Sequence, residues 1–174
     1  AEMPAAAVTD HGNLFGAIEF YTAAQAAGVK PIIGCEAYVA FGSRQLREKP
    51  ADAPGHYAHL VLLARDREGY AHLCRLVTEA HRGDPVEVPG AAGAVARRQQ
   101  PRIPFLLAAE RARGLFALYP GVDAGAVARL REAFGERLAL AVSRHRVAGE
   151  ETRIAAARSV GRRLGVAVAV VNDV

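Results

Sequence analysis

The chain has 174 residues, of which 51% are hydrophobic and 23% charged, with a formal net charge of +4. This length is enough for one sizeable core, and the apolar content excludes a disordered chain. The longest uninterrupted apolar run, residues 166–171, is far shorter than the ~20 residues that cross a bilayer, which argues against a membrane protein. We therefore expect a single domain over residues 1–174.

The positive charge lies in the second part of the chain. Residues 1–95 carry 8 basic and 11 acidic side chains, whereas residues 96–174 carry 14 and 7. Arginine pairs well with phosphate, so a polyanionic partner is one interpretation. The favoured alternative is that the arginine excess reflects the composition of the coding genome. No aromatic residues interleave with the arginines, as a stacking surface for bases would require.

Short apolar runs alternate with helical patterns along the chain. Most of the runs are continuously apolar, which is typical of strands buried on both faces of a parallel sheet. The predicted strands are 5–8, 30–40, 59–65, 114–119, 137–144 and 166–173. The predicted helices are 14–27 with Asn13 as N-cap and Gly28 as stop, 67–81, 124–134, and 150–164 stopped by Gly165. Residues 41–56 and 83–104 are predicted loops.

Alternating strands and helices predict βα units with right-handed crossovers, in a closed barrel or an open sheet. Either arrangement binds ligands at the carboxyl ends of its strands. Asp10 and His11 close the first predicted strand, Glu36 interrupts the second, His59 opens the third, and Asp173 ends the last. Imidazole and carboxylate together suit Zn²⁺, Mn²⁺ or Fe²⁺. Spacing alone is a weak indication, because no two of these residues have the close spacing of a helical ligand pair.

Three segments resemble a known family. They are "MPAAAVTDHGNLFGAIEFYTAAQAAGVKPIIGCEAYVA", "HLVLLARDREGYAHLCRLV" and "VAVVNDV". The chain is similar to the PHP (polymerase and histidinol phosphatase) domain, and most of all to the PHP domains of bacterial DNA polymerase III alpha subunits, of the replicative or the error-prone branch. The resemblance implies an α/β fold, a distorted seven-stranded (β/α) barrel of the PHP type, whose strand ends can hold up to three metal ions.

Carried over residue by residue, the resemblance implies that His11, Glu36, His59 and Asp173 are metal ligands. It implies that Asp10 orients an imidazole instead of binding the ion directly. The cofactor would be Zn²⁺, Mn²⁺ or Mg²⁺. The competing interpretations are a helix-capping or turn role for His11, a solvated strand-edge position for His59 and an Asn–Asp turn at Asp173.

The other histidines and the cysteines have weaker claims to a function. His145 follows a predicted strand and matches a recurrent polar position of the family, but ranks below the four ligands. His72 and His81 lie on a predicted helix, away from strand ends, and are predicted to be solvated. Both cysteines, Cys35 and Cys74, are predicted to be reduced thiols that act as small core hydrophobes.

Departures from the family pattern weaken the predicted metal site. The family begins with a strand bearing an H-x-H motif and places a histidine after its last motif, and the sequence contains neither. We therefore interpret the chain as an excised piece with an incomplete barrel. Inside the chain, "GLFALYPGVDAG" has Pro120, Gly121 and Val122 where metal-competent relatives carry cysteine or histidine. Asp123 is an alternative ligand. We therefore predict weak or absent metal binding.

The resemblance implies a whole protein that is a cytoplasmic DNA-directed DNA polymerase, acting in replication or translesion repair. Its partners would be DNA and the polymerase domains of the same chain, with no membrane involved. For this chain we predict a structural domain with a partly degraded metal site and no polymerase activity of its own. The alternative is a metal-dependent phosphoesterase, such as a 3′–5′ proofreading exonuclease, at the barrel rim. A free-standing phosphatase is disfavoured by the run "KPIIGCEAYV".

Overall fold

A computed structural model of the chain describes residues 3–41, 58–82 and 101–172. Within these ranges no helix has the length and apolarity needed to cross a membrane. In chain order the elements are β1 (Ala5–His11), α1 (Ala17–Ala26), β2 (Lys30–Ala40), β3 (Ala58–Ala64), α2 (Arg67–His81), β4 (Arg102–Pro104), α3 (Phe105–Glu110), β5 (Leu115–Tyr119), α4 (Ala124–Phe134), a 3₁₀ turn (Gly135–Arg137), β6 (Leu138–Val142), α5 (Glu150–Leu164) and β7 (Ala167–Val170).

The strands form one mixed sheet that curls into an incomplete barrel, as the resemblance implies. Its order is β1-β2-β3-β5-β6-β7, with β4 paired to the end of β2. β1 with β2, β5 with β6, and β6 with β7 are parallel pairs, but β3 runs antiparallel to both β2 and β5. The prediction of a wholly parallel sheet is therefore wrong at β3, because an apolar run specifies burial and not direction.

The two faces of the sheet have different environments. One face packs against α2, α4 and α5 and forms the core. The buried strand residues include Cys35, Ala37, Val39, Leu60, Leu62, Leu115, Ala117, Leu138 and Leu140, and they meet Leu73, Leu76, Val127, Leu130 and Phe134 of the helices. The other face borders a cavity of about 1100 Å³. The strands are therefore packed on one face only, and the concave face is left to line a site.

A close approach between two glycines positions α2 against the start of β5. Asp66 caps α2, and its carboxylate accepts the N–H of Gly69 at 2.9 Å. A Cβ added to Gly69 would lie 2.5 Å from the carbonyl carbon of Gly114 and would overlap its oxygen. Gly114 adopts a φ of +71°, which glycine reaches without steric cost. Glycine is thus required at both positions for α2 to pack this close to the start of β5.

β4 falls at the end of the predicted loop at 83–104, and α3 lies just beyond it, where the sequence interpretation has no helix. β4 pairs in parallel with the last residues of β2, and α3 follows it directly. Phe105 of α3 stacks on Phe41 with ring centroids 5.2 Å apart, and the Arg129 guanidinium lies 4.4 Å from the Phe105 ring centroid. This tertiary packing orders a segment whose own sequence has no periodicity.

The first helix begins later than predicted. α1 starts at Ala17, and Gly16 occupies its N-cap. The Asn13 side chain accepts the N–H of Phe15 and donates to the carbonyl of His11, both at 2.9 Å. Asn13 therefore shapes the turn after β1 instead of capping the helix, a local role that Asn side chains share with capping.

Candidate functional site

Two histidines converge on one glutamate at the concave face of the sheet. His11 and Glu36 are register partners in the β1–β2 ladder, and His11 Nδ1 lies 3.3 Å from Glu36 Oε2. His59 Nδ1 contacts the other oxygen, Oε1. The Glu36 side chain is 15% exposed, against 66% for His11 and 46% for His59. A mostly buried carboxylate therefore lies between two more exposed imidazoles, and all three border the cavity.

The direction of β3 is what brings His59 to this edge. His59 is near the start of β3 and pairs with Tyr38, two residues beyond Glu36 on the same face of β2. Its ring packs edge-on against the Tyr38 ring, with centroids 5.1 Å apart. In a parallel β3 the beginning of the strand would lie at the opposite edge of the sheet. The predicted grouping of His59 with His11 and Glu36 is found, but through an antiparallel strand that the sequence interpretation did not include.

Asp10 precedes His11 in β1, and its side chain binds the backbone. Its Oδ2 accepts the N–H of Gly16 at 2.9 Å, at the start of α1. The turn between them is fixed further by Gly12, whose N–H donates to the Glu36 carbonyl at 2.9 Å. The structure thus places Asp10 as a support of the turn that carries His11, and its predicted role in orienting an imidazole stays a prediction.

Two histidines of α2 make contacts that the sequence did not indicate. His81 Nε2 lies 2.9 Å from the Gly12 carbonyl, and His72 Nδ1 lies 2.9 Å from the Arg113 carbonyl. The prediction that both are solvated holds for His81, which is exposed, and in part for His72, which is half-buried, but each ring also faces a backbone carbonyl. His81 ties the end of α2 to the turn after His11. Its partner is 69 residues away, so no local pattern could have revealed it.

The cysteine predictions hold in their main point. Cys35 is fully buried in the core and Cys74 is half-buried on α2, both as free thiols. Burial raises the pKa of the Cys35 thiol to about 12. A thiol with so high a pKa is inert at neutral pH, which agrees with a packing role.

The His–Glu–His triad has the donor chemistry of a metal site without its arrangement. Neutral imidazole and carboxylate suit borderline divalent ions. Across residues 3–41, 58–82 and 101–172, however, no group of three or more His, Cys, Asp or Glu side chains is arranged to hold a metal ion. Both imidazoles turn a nitrogen to Glu36, whereas ligands would surround a common point at ~2.0–2.2 Å. The fourth predicted ligand, Asp173, lies outside the described residues.

The segment that lacks the expected internal ligand also borders the cavity. Pro120 and Val122 line it and offer no side-chain donor. The Asp123 carboxylate accepts the N–H of Ala126 at 2.8 Å and caps α4. The alternative that Asp123 replaces the missing ligand therefore finds no support in its contacts.

A second wall of the cavity lies at the end of β6 and the start of α5. It includes Ser143, Glu150, Arg153 and Asn172. Glu150 is 3% exposed, and its carboxylate accepts backbone N–H groups of the three residues His145, Arg146 and Val147 at 2.7, 2.8 and 3.2 Å. These hydrogen bonds, that from His145 foremost, lower the pKa of the Glu150 carboxyl from its ordinary value. The glutamate therefore stays charged and organises the loop at residues 143–149.

The relatives found by comparison with known proteins are consistent with one another. A family model described as "PHP domain" matches residues 1–156. An error-prone DNA polymerase of Anaeromyxobacter sp. (strain K) is 53% identical over 174 residues, covering 99% of this chain. DNA polymerase III subunit alpha of Thermus aquaticus is 38% identical over 187 residues, also covering 99% of the chain. The chain spans about 14% of the length of each of these curated relatives.

A solved structure shares the fold. It is the crystal structure of a protein from Bifidobacterium adolescentis that is provisionally described as a metal-dependent phosphoesterase. The TM-score is 0.54 at 11% sequence identity, and the match covers 97% of this chain and 76% of the other. At this identity the similarity establishes the architecture of the curled sheet and nothing finer.

Proposed function

Because this chain belongs to the PHP domain family, we propose that it is the PHP domain of an error-prone type DNA polymerase and that it acts there as a structural brace. The whole protein would be a cytoplasmic DNA-directed DNA polymerase, and its nucleotidyl transfer would belong to regions outside this chain. Identity of 53% to an error-prone polymerase against 38% to a polymerase III alpha subunit favours the error-prone branch over the replicative one.

The arrangement of the triad supports a brace over a catalytic domain. His11 and His59 use their Nδ1 atoms on the two oxygens of Glu36, which links β1, β2 and β3 by side chains as well as by backbone hydrogen bonds. The resemblance places a further ligand in the segment of Pro120 and Val122, which line the cavity without a side-chain donor, and Asp123 is engaged in a helix cap. These contacts join strands, and the absence of the internal ligand that the resemblance implies supports a brace.

Metal titration of the full-length protein tests this proposal. An ion that binds the native state raises the melting temperature with its concentration. We expect the unfolding transition of this domain to shift little with Zn²⁺ or Mn²⁺, and His11→Ala to leave the response unchanged. A rise of many degrees that His11→Ala abolishes would show an intact metal site and contradict degradation.

A second experiment tests the bracing itself. Leu62 is fully buried and Ile18 is 73% exposed, so Leu62→Ala should remove roughly 2–5 kcal/mol of stability and Ile18→Ala less than about 0.5 kcal/mol. In the full-length protein, Leu62→Ala should lower the temperature at which primer extension is lost, and Ile18→Ala should not. If the domain melts earlier and extension survives unchanged, the domain does not brace the polymerase.

A metal-dependent phosphoesterase, with 3′–5′ exonuclease activity as one form, is the second candidate. The observation that favours it is the position of His11, Glu36 and His59 on the wall of a large cavity. Zn²⁺, Mn²⁺ or Mg²⁺ held by these residues, with Asp173 as the fourth predicted ligand, would polarise a phosphoryl oxygen.

Nuclease assays separate the two candidates. The phosphoesterase proposal expects metal-stimulated removal of 3′ nucleotides by the full-length protein and loss of that activity in His11→Ala, with primer extension retained. The matched control is His72→Ala, because His72 contacts a backbone carbonyl at a distance from the triad. Absence of degradation by the unaltered protein, after contaminating nucleases are excluded, rules this candidate out.

A further inference from the structure

The positive charge of the second part of the chain gathers on one helix. Residues 152–165, in α5 and at its end, contain four arginines and no aspartate or glutamate. Arg153 lines the cavity, whereas Arg158, Arg162 and Arg163 are exposed and lie outside its lining. We call these three arginines, together with the exposed Ser159 among them, the arginine face.

The arginine face is not neutralised by the described residues. None of its three guanidinium groups has a carboxylate within salt-bridge distance there. Other arginines do have partners: Arg113 pairs with Glu68, Arg144 pairs with Glu151, and Arg129 lies over two aromatic rings. An arginine-rich coding genome does not by itself account for three unpaired arginines on adjacent turns of one helix.

The spacing of these arginines is unfavourable for the helix itself. Arg158 and Arg162 are four residues apart, and like charges at this spacing repel each other on a helix surface. The helix dipole offsets the repulsion at Arg162 and Arg163, which lie in the last turn, but not at Arg158. Arg131 of α4 reaches the same end of α5, because its Nη2 would lie 3.7 Å from a Cβ on the C-cap residue. A polyanionic partner would relieve this repulsion.

The chemistry of the arginine face selects among polyanionic partners. Protein interfaces depend on buried aromatic or aliphatic anchors, and none of the exposed large hydrophobic residues of the described chain lies on α5. Single-stranded nucleic acid is bound by stacking its bases on aromatic side chains, and α5 has none. The exposed Ala155 and Ser159 are small, so a sugar–phosphate backbone can come close to the guanidinium groups.

We propose that the arginine face of α5 binds the phosphate backbone of duplex DNA, outside the cavity. Guanidinium groups match phosphate oxygens in geometry and charge, and such contacts position a duplex without reading its bases. Arg158 and Arg163 are separated by about 7.5 Å along the helix axis, a length over which one DNA strand carries about two phosphates. The identity of the partner as DNA rests on the proposed polymerase function, while its polyanionic character rests on the arginines.

Binding of a blunt-ended duplex of mixed sequence by the full-length protein tests the side chains. Arg158→Gln and Arg162→Gln should each weaken binding several-fold and lower the slope of log K against log salt by about 0.9. Arg158→Lys should retain most of that slope, because it keeps the charge.

Arg75→Gln is the matched control. Arg75 is an exposed arginine of α2 that also has no carboxylate partner in the described ranges, so its loss changes the net charge equally. Equal effects of Arg75→Gln and Arg158→Gln would reduce the result to net charge and refute the site.

Photo-crosslinking identifies what covers the arginine face. In the full-length protein, p-benzoylphenylalanine at position 159 should crosslink to the added duplex, and the same label at Thr78, an exposed position of α2, should not. Adducts from position 159 to the protein's own chain, in place of DNA, would mean that a protein segment covers this face and would overturn the proposal. Equal crosslinking to DNA from both positions would show random contact and would also overturn it.

Stability and polymerase activity give independent readouts. Because Arg158→Gln removes a like-charge repulsion, its melting temperature should be unchanged or slightly higher while its affinity falls, whereas a structural arginine would lose both together. Absence of primer extension by the unaltered protein would remove the proposed polymerase function. The difference between Arg158→Gln and Arg75→Gln in duplex binding would still decide whether α5 binds a phosphate backbone.

Discussion

The contact between Gly69 and Gly114 makes a strong prediction about stability. In Gly69→Ala the new methyl group would lie 2.5 Å from the Gly114 carbonyl carbon and 3.2 Å from its Cα, and all of these neighbours are backbone atoms. No side-chain rotation can relieve the overlap, so α2 must move away from β5. Overpacking of this kind costs typically 1–3 kcal/mol, and the rigid neighbours favour about 3 kcal/mol.

The opposing effect is the helix propensity of alanine. Replacing glycine by alanine inside a helix gains ~0.5–1 kcal/mol, so the net loss for Gly69→Ala is about 2 kcal/mol. For a domain of this size, 1 kcal/mol corresponds to ~2–4 °C in melting temperature. The melting temperature should therefore fall by ~4–8 °C, measured by thermal unfolding with circular dichroism at 222 nm.

Gly125→Ala is the matched control for this change. Gly125 also lies in the first turn of a helix capped by an aspartate, and the atom nearest to an added Cβ is Asp123 Oδ1 at 3.4 Å. This variant should keep the gain from helix propensity and melt at the same temperature or slightly higher. If Gly69→Ala melts no lower than Gly125→Ala, the close approach of α2 to β5 is not a packing constraint and the reasoning fails.

Three further predictions concern single side chains. Hydrogen bonds lower the Glu150 pKa, so the stability that the carboxylate contributes is complete above the unfolded pKa of ~4.3 and is lost as pH falls through the folded pKa. The melting temperatures of wild type and Glu150→Gln should therefore differ at pH 7 and converge in acid. A difference that persists to pH 3 would contradict this. Asp123→Ala should cost ~1 kcal/mol through loss of the α4 cap, equally with EDTA or Zn²⁺ in urea titrations, whereas a loss seen only with metal would make Asp123 a ligand. Because burial raises the Cys35 pKa to about 12, iodoacetamide should label Cys74 first and Cys35 only after unfolding, and comparable native labelling would refute the burial.

Helix positions could be predicted because their signals are local. The helices at 67–81, 124–134 and 150–164 begin and end where predicted. Each has an apolar stripe that starts after an aspartate or a glycine and stops at a glycine or at a last turn with basic residues. The direction of β3 depends on which strand it pairs with, and the apolar run alone does not indicate that direction. One clue was present: the connection from β2 to β3 had no predicted helix, and parallel neighbours need a long crossover, usually helical.

The candidate site was predictable to the extent that the resemblance named its residues. His11, Glu36 and His59 come together as the motifs indicate. The ligand role of these residues and of Asp173, and the orienting role of Asp10, stay predictions. The Glu150 loop was missed because a glutamate at the start of a helix is ordinary in sequence. Its burial and its three N–H donors depend on where the β6–α5 connection folds.

Strand pairing, and not the connecting segment, decides where His59 lies. Extra residues between β2 and β3 would add only a small closure entropy and would leave the ladder from Gly34 to Val39 unaltered. Loss of one residue inside β3 would instead shift the alternation, turning the imidazole toward the helices and Leu60 toward the cavity. Homologous chains can therefore tolerate length variation before β3 while retaining the same cross-strand triad, and a single-codon deletion within the strand would eliminate it.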